Sequence, residues 1–229
     1  MWTENAANGR NGAAAGLAVR RGQTHTANML TTTKVALVIM ALLVPVARFL
    51  GVMESADEPQ YTSDGQMKFP DHYREWVYLT SGFDMSYSAS TAMPDHHMFD
   101  NVFVNPEAYK VFVATGHWPD KTMLVLEVRG ARGKGSINQR GNYQDEIMGL
   151  EVHVKDDARF PGKWAFFGFD GGRTGKMDPP TSNCYSCHED HGAVDTTFVQ
   201  FYPTLLEIAT KKGTLSPSYV KEEAANAKK

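Results

Sequence analysis

Five residues constrain this chain more than any others: Cys184-Tyr185-Ser186-Cys187-His188. They hold both of its 2 cysteines, in 229 residues. Two cysteines cannot build a disulfide framework, and a bridge between these two would close a very small loop and stabilise little. A redox C-x-x-C belongs at the helix start of a thioredoxin-like βαβ unit, which the Gly- and Pro-rich segment before Cys184 does not match. A zinc site from Cys184, Cys187, His188 and His191 would lack a distant second ligand pair to close its tetrahedron. The pattern C-x-x-C-H is the attachment pattern of c-type haem. Its two thiols add across the porphyrin vinyl groups, and the adjacent His reaches the iron. One motif implies one covalently bound haem c, with Cys184 and Cys187 as thioether residues and His188 as proximal iron ligand.

Such attachment takes place outside the cytoplasm, and the N-terminal region fits export. Residues 1–33 show no packing pattern. Residues 35–47, VALVIMALLVPVA, are uncharged and follow Lys34. Thirteen residues are short for a bilayer span, which needs roughly 20, but suit the apolar centre of a secretory signal. A run continuing through Arg48 to Met53 would instead remain as a membrane anchor. Met29 offers a second start, ahead of a short signal front end. Residues 1–53 thus read as a leader, and the expected location is the periplasm, in solution or anchored. The remaining 176 residues hold 18 Lys and Arg against 25 Asp and Glu. This acidic body suits one domain and gives no basic field for nucleic acid.

Residues 54–70 read as a polar linker, 71–210 as the folded body and 211–229 as a charged, mobile tail. A short helix is expected from Asp71 through Leu79. Asn101–Val104 reads as a strand. Asn105-Pro106-Glu107 starts a helix that ends near Thr115, with Gly116 past its end. Thr122–Val128, Ile147–Val154 and Lys163–Phe169 read as strands, the last with both faces covered. Asp170–Asn183 is turn-rich, and Phe198–Thr210 is a helix interrupted at Pro203. The pattern is α+β: an antiparallel β-sheet with flanking helices, the haem attached near the C-terminal end.

From about His72 to Glu207 the chain resembles the cytochrome P-460 family, which includes the cytochrome c′-beta proteins. The resemblance rests on His72-Tyr73-Arg74-Glu75-Trp76, Asn101-Val102-Phe103-Val104-Asn105-Pro106 and Thr115-Gly116-His117-Trp118-Pro119-Asp120. It closes on Cys184–His188 followed by Phe198-Val199-Gln200-Phe201-Tyr202-Pro203. It implies an antiparallel sheet with flanking helices, a homodimer and a five-coordinate haem. Hydroxylamine-oxidising members join a lysine covalently to the haem edge, from the strand matching Thr122–Val128 and just before a Glu. Here Glu127 is present but Leu126 precedes it, and Lys121 sits at the strand entrance. The resemblance therefore leans to the lysine-free, gas-binding branch, whose distal face is apolar and capped by aromatics.

Strand alternation puts Leu124, Leu126 and Val128 on one face. Leu126 and Phe103 are the distal-pocket candidates, and ordinary core packing is the competing reading for each. An apolar pocket without hydrogen-bond donors favours neutral nitric oxide over O2. The leading expectation is an exported cytochrome with an open haem site that binds or detoxifies nitric oxide. The alternatives are a hydroxylamine oxidoreductase passing electrons to a partner cytochrome, and a simple electron carrier. Met123, Met148 and Met177 are candidate sixth ligands for that carrier, or core residues. Asp178 and Glu127 are proton-relay candidates or structural carboxylates. His96-His97 beside Asp95 could bind metal or form a solvated loop, and His191 is expected to bond locally. His72, His117 and His153 show no ligand spacing. Arg129, Arg132, Lys134 and Arg140 meet haem propionates or solvent.

Overall fold

The computed structural model describes residues 57–87, 96–161 and 164–228. The leader over 1–53, with its apolar stretch 35–47, lies outside the described residues, as do Asp95 and Lys163. Alternating apolar positions dominate the described chain, and strands follow from them. They are β1 (Met67–Lys68), β2 (Val77–Phe83), β3 (Met98–Val104), β4 (Met123–Arg132), β5 (Tyr143–Lys155), β6 (Trp164–Gly168) and β7 (Thr174–Met177). They form one sheet in the order β1-β7-β6-β5-β4-β3-β2, antiparallel at every pairing. The helices are α1 (Pro106–Thr115), α2 (Asn183–His191), α3 (Pro203–Lys212) and α4 (Pro217–Asn226). The architecture is the expected α+β, with an antiparallel sheet and flanking helices.

Both faces of the sheet are covered, which separates two cores. Val104, Phe112, Trp118, Leu124, Val199 and Leu205 pack on the helix side. Tyr73, Trp76, Met123, Val125, Val152 and Phe167 pack on the other. Neighbours along β4 therefore belong to different cores, as a period of two requires. β6 carries Trp164 on one side and Ala165 and Phe167 on the other, so its continuous apolar run is buried twice over.

α1 begins and ends where expected. Gly116 takes the left-handed φ of 81° and donates its N–H to the Phe112 carbonyl at 2.7 Å, a conformation glycine adopts without steric cost. Asn105 stands at the N-cap position, but its side chain does not cap. Its Oδ1 accepts from the Met123 N–H at 2.9 Å and its Nδ2 donates to the Lys121 carbonyl at 3.1 Å. It ties the helix start to β4.

Three expectations are corrected. The helix over Asp71–Leu79 is instead a 3-10 turn at Tyr73–Glu75 leading into β2. Trp76 joins one core while Val77 and Leu79 pack against the other, so the pattern has strand periodicity. The 54–70 linker is part of the fold from residue 57. Asp57 accepts from Trp76 Nε1 at 2.6 Å and bonds His72 at 2.8 Å, and Met67 is fully buried. The tail beyond Gly213 contains α4, whose Ser216 hydroxyl accepts from the Tyr219 N–H at 3.2 Å. Ser216-Pro217 is a cap followed by proline, and its Oγ also donates to the Gly192 carbonyl at 2.7 Å.

Candidate functional site

α2 starts at Asn183, so the C-x-x-C-H residues occupy its first two turns. Helical spacing sets Cys184 and Cys187 on one face, with His188 four residues beyond the first. Both thiols are free, Cys184 exposed and Cys187 half-buried. Burial pushes the Cys187 thiol up, and Cys184, Asp190 and Glu222 add to the effect. His188 Nδ1 lies 2.8 Å from the Thr196 carbonyl. A carbonyl only accepts, so Nδ1 carries the proton and Nε2 keeps a free lone pair. Burial, partly opposed by the Thr196 bond, lowers the imidazole pKa and holds the ring neutral.

The segment carrying Thr196 is unusual. Asp195 and Thr196 have φ of 47° and 59°, costing roughly 1–3 kcal/mol each for residues with a Cβ. Trp118 holds them there. Its backbone N–H donates to Asp195 at 2.8 Å and its Nε1–H to Thr197 Oγ1 at 2.9 Å. The Trp118 motif thus serves the orientation of His188 through this loop. Gly192 completes the support, since a Cβ there would stand 2.5 Å from the His188 carbonyl oxygen and 2.8 Å from Thr197 N. Gly192→Ala is expected to destabilise the fold by about 1–3 kcal/mol and to disturb the His188 environment, checked by thermal melting and the haem absorption bands.

His188 faces a cavity of about 400 Å³ between the helices and the sheet. Register explains its floor. Leu126 stands opposite Val102 on β3 and Glu151 on β5, Val128 opposite Asp100, and Leu124 opposite His153. All seven line the cavity, with Phe198, Phe201 and Tyr202 on the helix side. Cys187 lines an adjoining groove that shares Tyr87, Phe198 and Phe201 with it. The residues fit a flat, largely apolar group held by thiols at one edge and by an imidazole at its centre. One further observation points to an occupant. His153 is 8% exposed, and neither ring nitrogen has a hydrogen-bond partner. It stacks on Phe166 with centroids 4.0 Å apart and meets His188 edge-on at 4.8 Å. Burial, and His188 next, push its pKa far down.

The sequence candidates divide between the two faces of the sheet. Leu126 lines the cavity with Leu124 and Val128. Phe103 does not. It lies one residue out of phase with Val102, on the opposite face, against Tyr73 and Tyr78. The aromatic residues at the cavity are instead Tyr87, Phe166, Phe198, Phe201 and Tyr202. Met123 is buried in the far core, and Met148 and Met177 are exposed. The methionines at the cavity are Met85 and Met98. Lys121 pairs with Asp156 at 2.6 Å. Asp178 sits beside the motif, its Oδ2 4.0 Å from Cys184 Sγ.

Glu127 belongs to the far face. It accepts from Tyr73 and Arg74, from Arg129 Nε at 2.6 Å and from Asn101 Nδ2 at 3.2 Å. Arg129 and Arg132 are thereby committed to Glu127 and Asp145, while Lys134 and Arg140 are exposed. None of the four lines the cavity. His191 bonds across 31 residues to Glu222 of α4 at 3.0 Å, rather than locally. His97 pairs with Asp84 at 2.5 Å, and no cluster able to hold a metal ion occurs among the described residues.

Glu151 and His153 escaped the sequence reading as site residues. Their signal is alternation: both are polar, on alternate positions of a strand whose intervening residues Leu150, Val152 and Val154 are apolar.

Comparison with curated proteins gave no match. The family profile described as Cytochrome P460 matches residues 70–199, more than half of the chain and the stretch from the first turn to the loop behind His188. With the sheet, the motif helix and the cavity between them, this establishes that the chain belongs to the cytochrome P460 family, whose members carry covalently attached haem c.

Proposed function

We propose that Cys184 and Cys187 tether the haem, that His188 ligates its iron, and that the site is open to small nitrogen ligands, nitric oxide first among them. The observation that carries this reading is His188, whose unprotonated nitrogen is left free beside a cavity floored by Leu124, Leu126 and Val128. When bound, the haem supplies an iron centre that takes a small ligand and exchanges one electron. The chain does the rest. Thr196 fixes the tautomer of His188, the aliphatic floor excludes water, and Leu126 occupies the position where a cross-linking lysine would stand.

A second reading, oxidation of hydroxylamine, has one specific support. Such oxidation releases protons, and Glu151 presents a carboxylate in the cavity next to Leu126. Burial, then Asp178 and Asp100, raise its pKa and ready it to accept a proton. Electrons would pass to a partner cytochrome. The plain-carrier reading would need Met85 or Met98 as sixth ligand.

Absorption spectra of the ferric and ferrous protein, with and without nitric oxide, separate the three. A high-spin spectrum that shifts on adding nitric oxide is expected. A low-spin spectrum indifferent to nitric oxide would replace this reading with the carrier. A broad, strongly red-shifted ferrous Soret band, with turnover of hydroxylamine, would replace it with the oxidoreductase. Export to the periplasm through residues 1–53 and a homodimeric state belong to the same proposal, to be read from cell fractionation and light scattering.

A further inference from the structure

We propose that the cavity selects by charge: Asp100 and Glu151 keep anions from the iron site and leave it to neutral nitrogen ligands. This rests on the open-site reading above.

The two carboxylates come from strands on either side of β4. Asp100 faces Val128 and Glu151 faces Leu126, two successive floor positions of the same wall. Asp100 is half-buried and Glu151 is exposed, and both line the cavity. Burial raises both carboxyl pKa values, with Asp84 acting further on Asp100. Asp178 and Asp100 act in turn on Glu151.

No lysine or arginine among the described residues lines the cavity. Two basic residues that flank the floor residues along the chain are engaged elsewhere. Arg129 follows Val128 along β4, and alternation sends it to the far face, onto Glu127. Lys121 is held by Asp156. The two carboxylates thus stand at the cavity with no lysine or arginine of the described residues in its lining, and their charge acts on an anion that enters it.

That the cavity is a binding space and not a packing gap follows from His153. It is nine-tenths buried, lines the cavity, and has no partner for either nitrogen. A buried polar group is normally satisfied, so this one points to an occupant. Contact between the His153 and His188 rings leaves no room for a macrocycle between them. A haem held by His188 would therefore have His153 on the His188 side. Glu151 stands two residues further along β5, about 7 Å away on the same face.

A neutral ligand such as nitric oxide crosses this field at little cost. Azide or nitrite approaches two like charges. Each carboxylate neutralised is expected to tighten azide on the order of tenfold.

The test uses the ferric holoprotein at pH 8, titrated with sodium azide and with nitric oxide and followed at the Soret band. Asp100→Asn and Glu151→Gln preserve shape and remove charge, singly and together. The ratio of azide affinity to nitric oxide affinity is expected to rise about tenfold in each single variant and further in the double. Added salt should strengthen azide binding to the parent protein and have a smaller effect on the double variant. A ratio unchanged in both single variants would overturn the proposal, as would parallel tightening of both ligands, which would mean a wider entrance. Failure of nitric oxide to bind any of these proteins would overturn the open-site reading, and the charge filter with it.

Discussion

Serine at both Cys184 and Cys187 should leave a polypeptide that carries no haem through denaturing electrophoresis. Each thioether needs one thiol, and one helical turn is the spacing that presents two thiols to one porphyrin edge. Either single serine variant retains one bond, so some haem staining should survive. His188→Ala separates tether from ligand. Its thiols are intact, so haem remains covalently attached, but the iron loses its imidazole and the absorption bands move. The double serine variant should also melt lower, because His188, Phe198 and the Leu126 wall would then surround a cavity of about 400 Å³ with nothing bound in it. Retention of full haem staining by the double serine variant would refute the assignment of the thiols. An unchanged spectrum in His188→Ala would refute the assignment of the ligand.

The motif is legible because it is local. Five consecutive residues carry the attachment pattern, and the TMLVLEV alternation correctly set Leu124, Leu126 and Val128 on one wall. Helix α1 was equally plain, since proline near its start and glycine past its end act within the backbone. What failed depends on partners distant in sequence. Val102 and Phe103 are adjacent on β3, and only the packing of α2 against one side of the sheet decides which of them meets the cavity. Trp118 reads as a buried aromatic. Its role comes from bonds to Asp195 and Thr197, nearly 80 residues away. Tyr73 and Trp76 mimic a helical face over one turn, and the strand that follows is recognisable only once the two cores are known. α4 was hidden by its charges, because its attachment runs through Ser216 and Glu222 rather than through an apolar stripe.

Glu127 also divides along these lines: its sequence position left a proton relay and a structural carboxylate open, and its register sends it to the far side, where it should prove one of the costliest residues to remove. It is 1% exposed, yet Tyr73, Arg74, Arg129 and Asn101 all converge on its two oxygens. Burial alone would raise its pKa. The Arg129 and Tyr73 bonds and the charges of Arg74 and Arg129 outweigh burial and hold it below the usual carboxylate range. Glu127→Ala leaves these donors facing a void, and a loss of about 3–5 kcal/mol is expected. For a body of this size that lowers the melting temperature by about 10 °C or more. Glu127→Gln keeps the shape but not the charge and should lose less. Its deficit should depend on pH. A carboxyl whose folded pKa is depressed contributes its full stability above the unfolded value of about 4.3, and loses it as pH falls through the folded value. The gap in melting temperature between the parent protein and Glu127→Gln should therefore be constant from pH 8 to about 5 and narrow below about 4. Melting curves across that range test it. A gap that persists undiminished into acid would show that the charge of Glu127 is not what the two arginines secure.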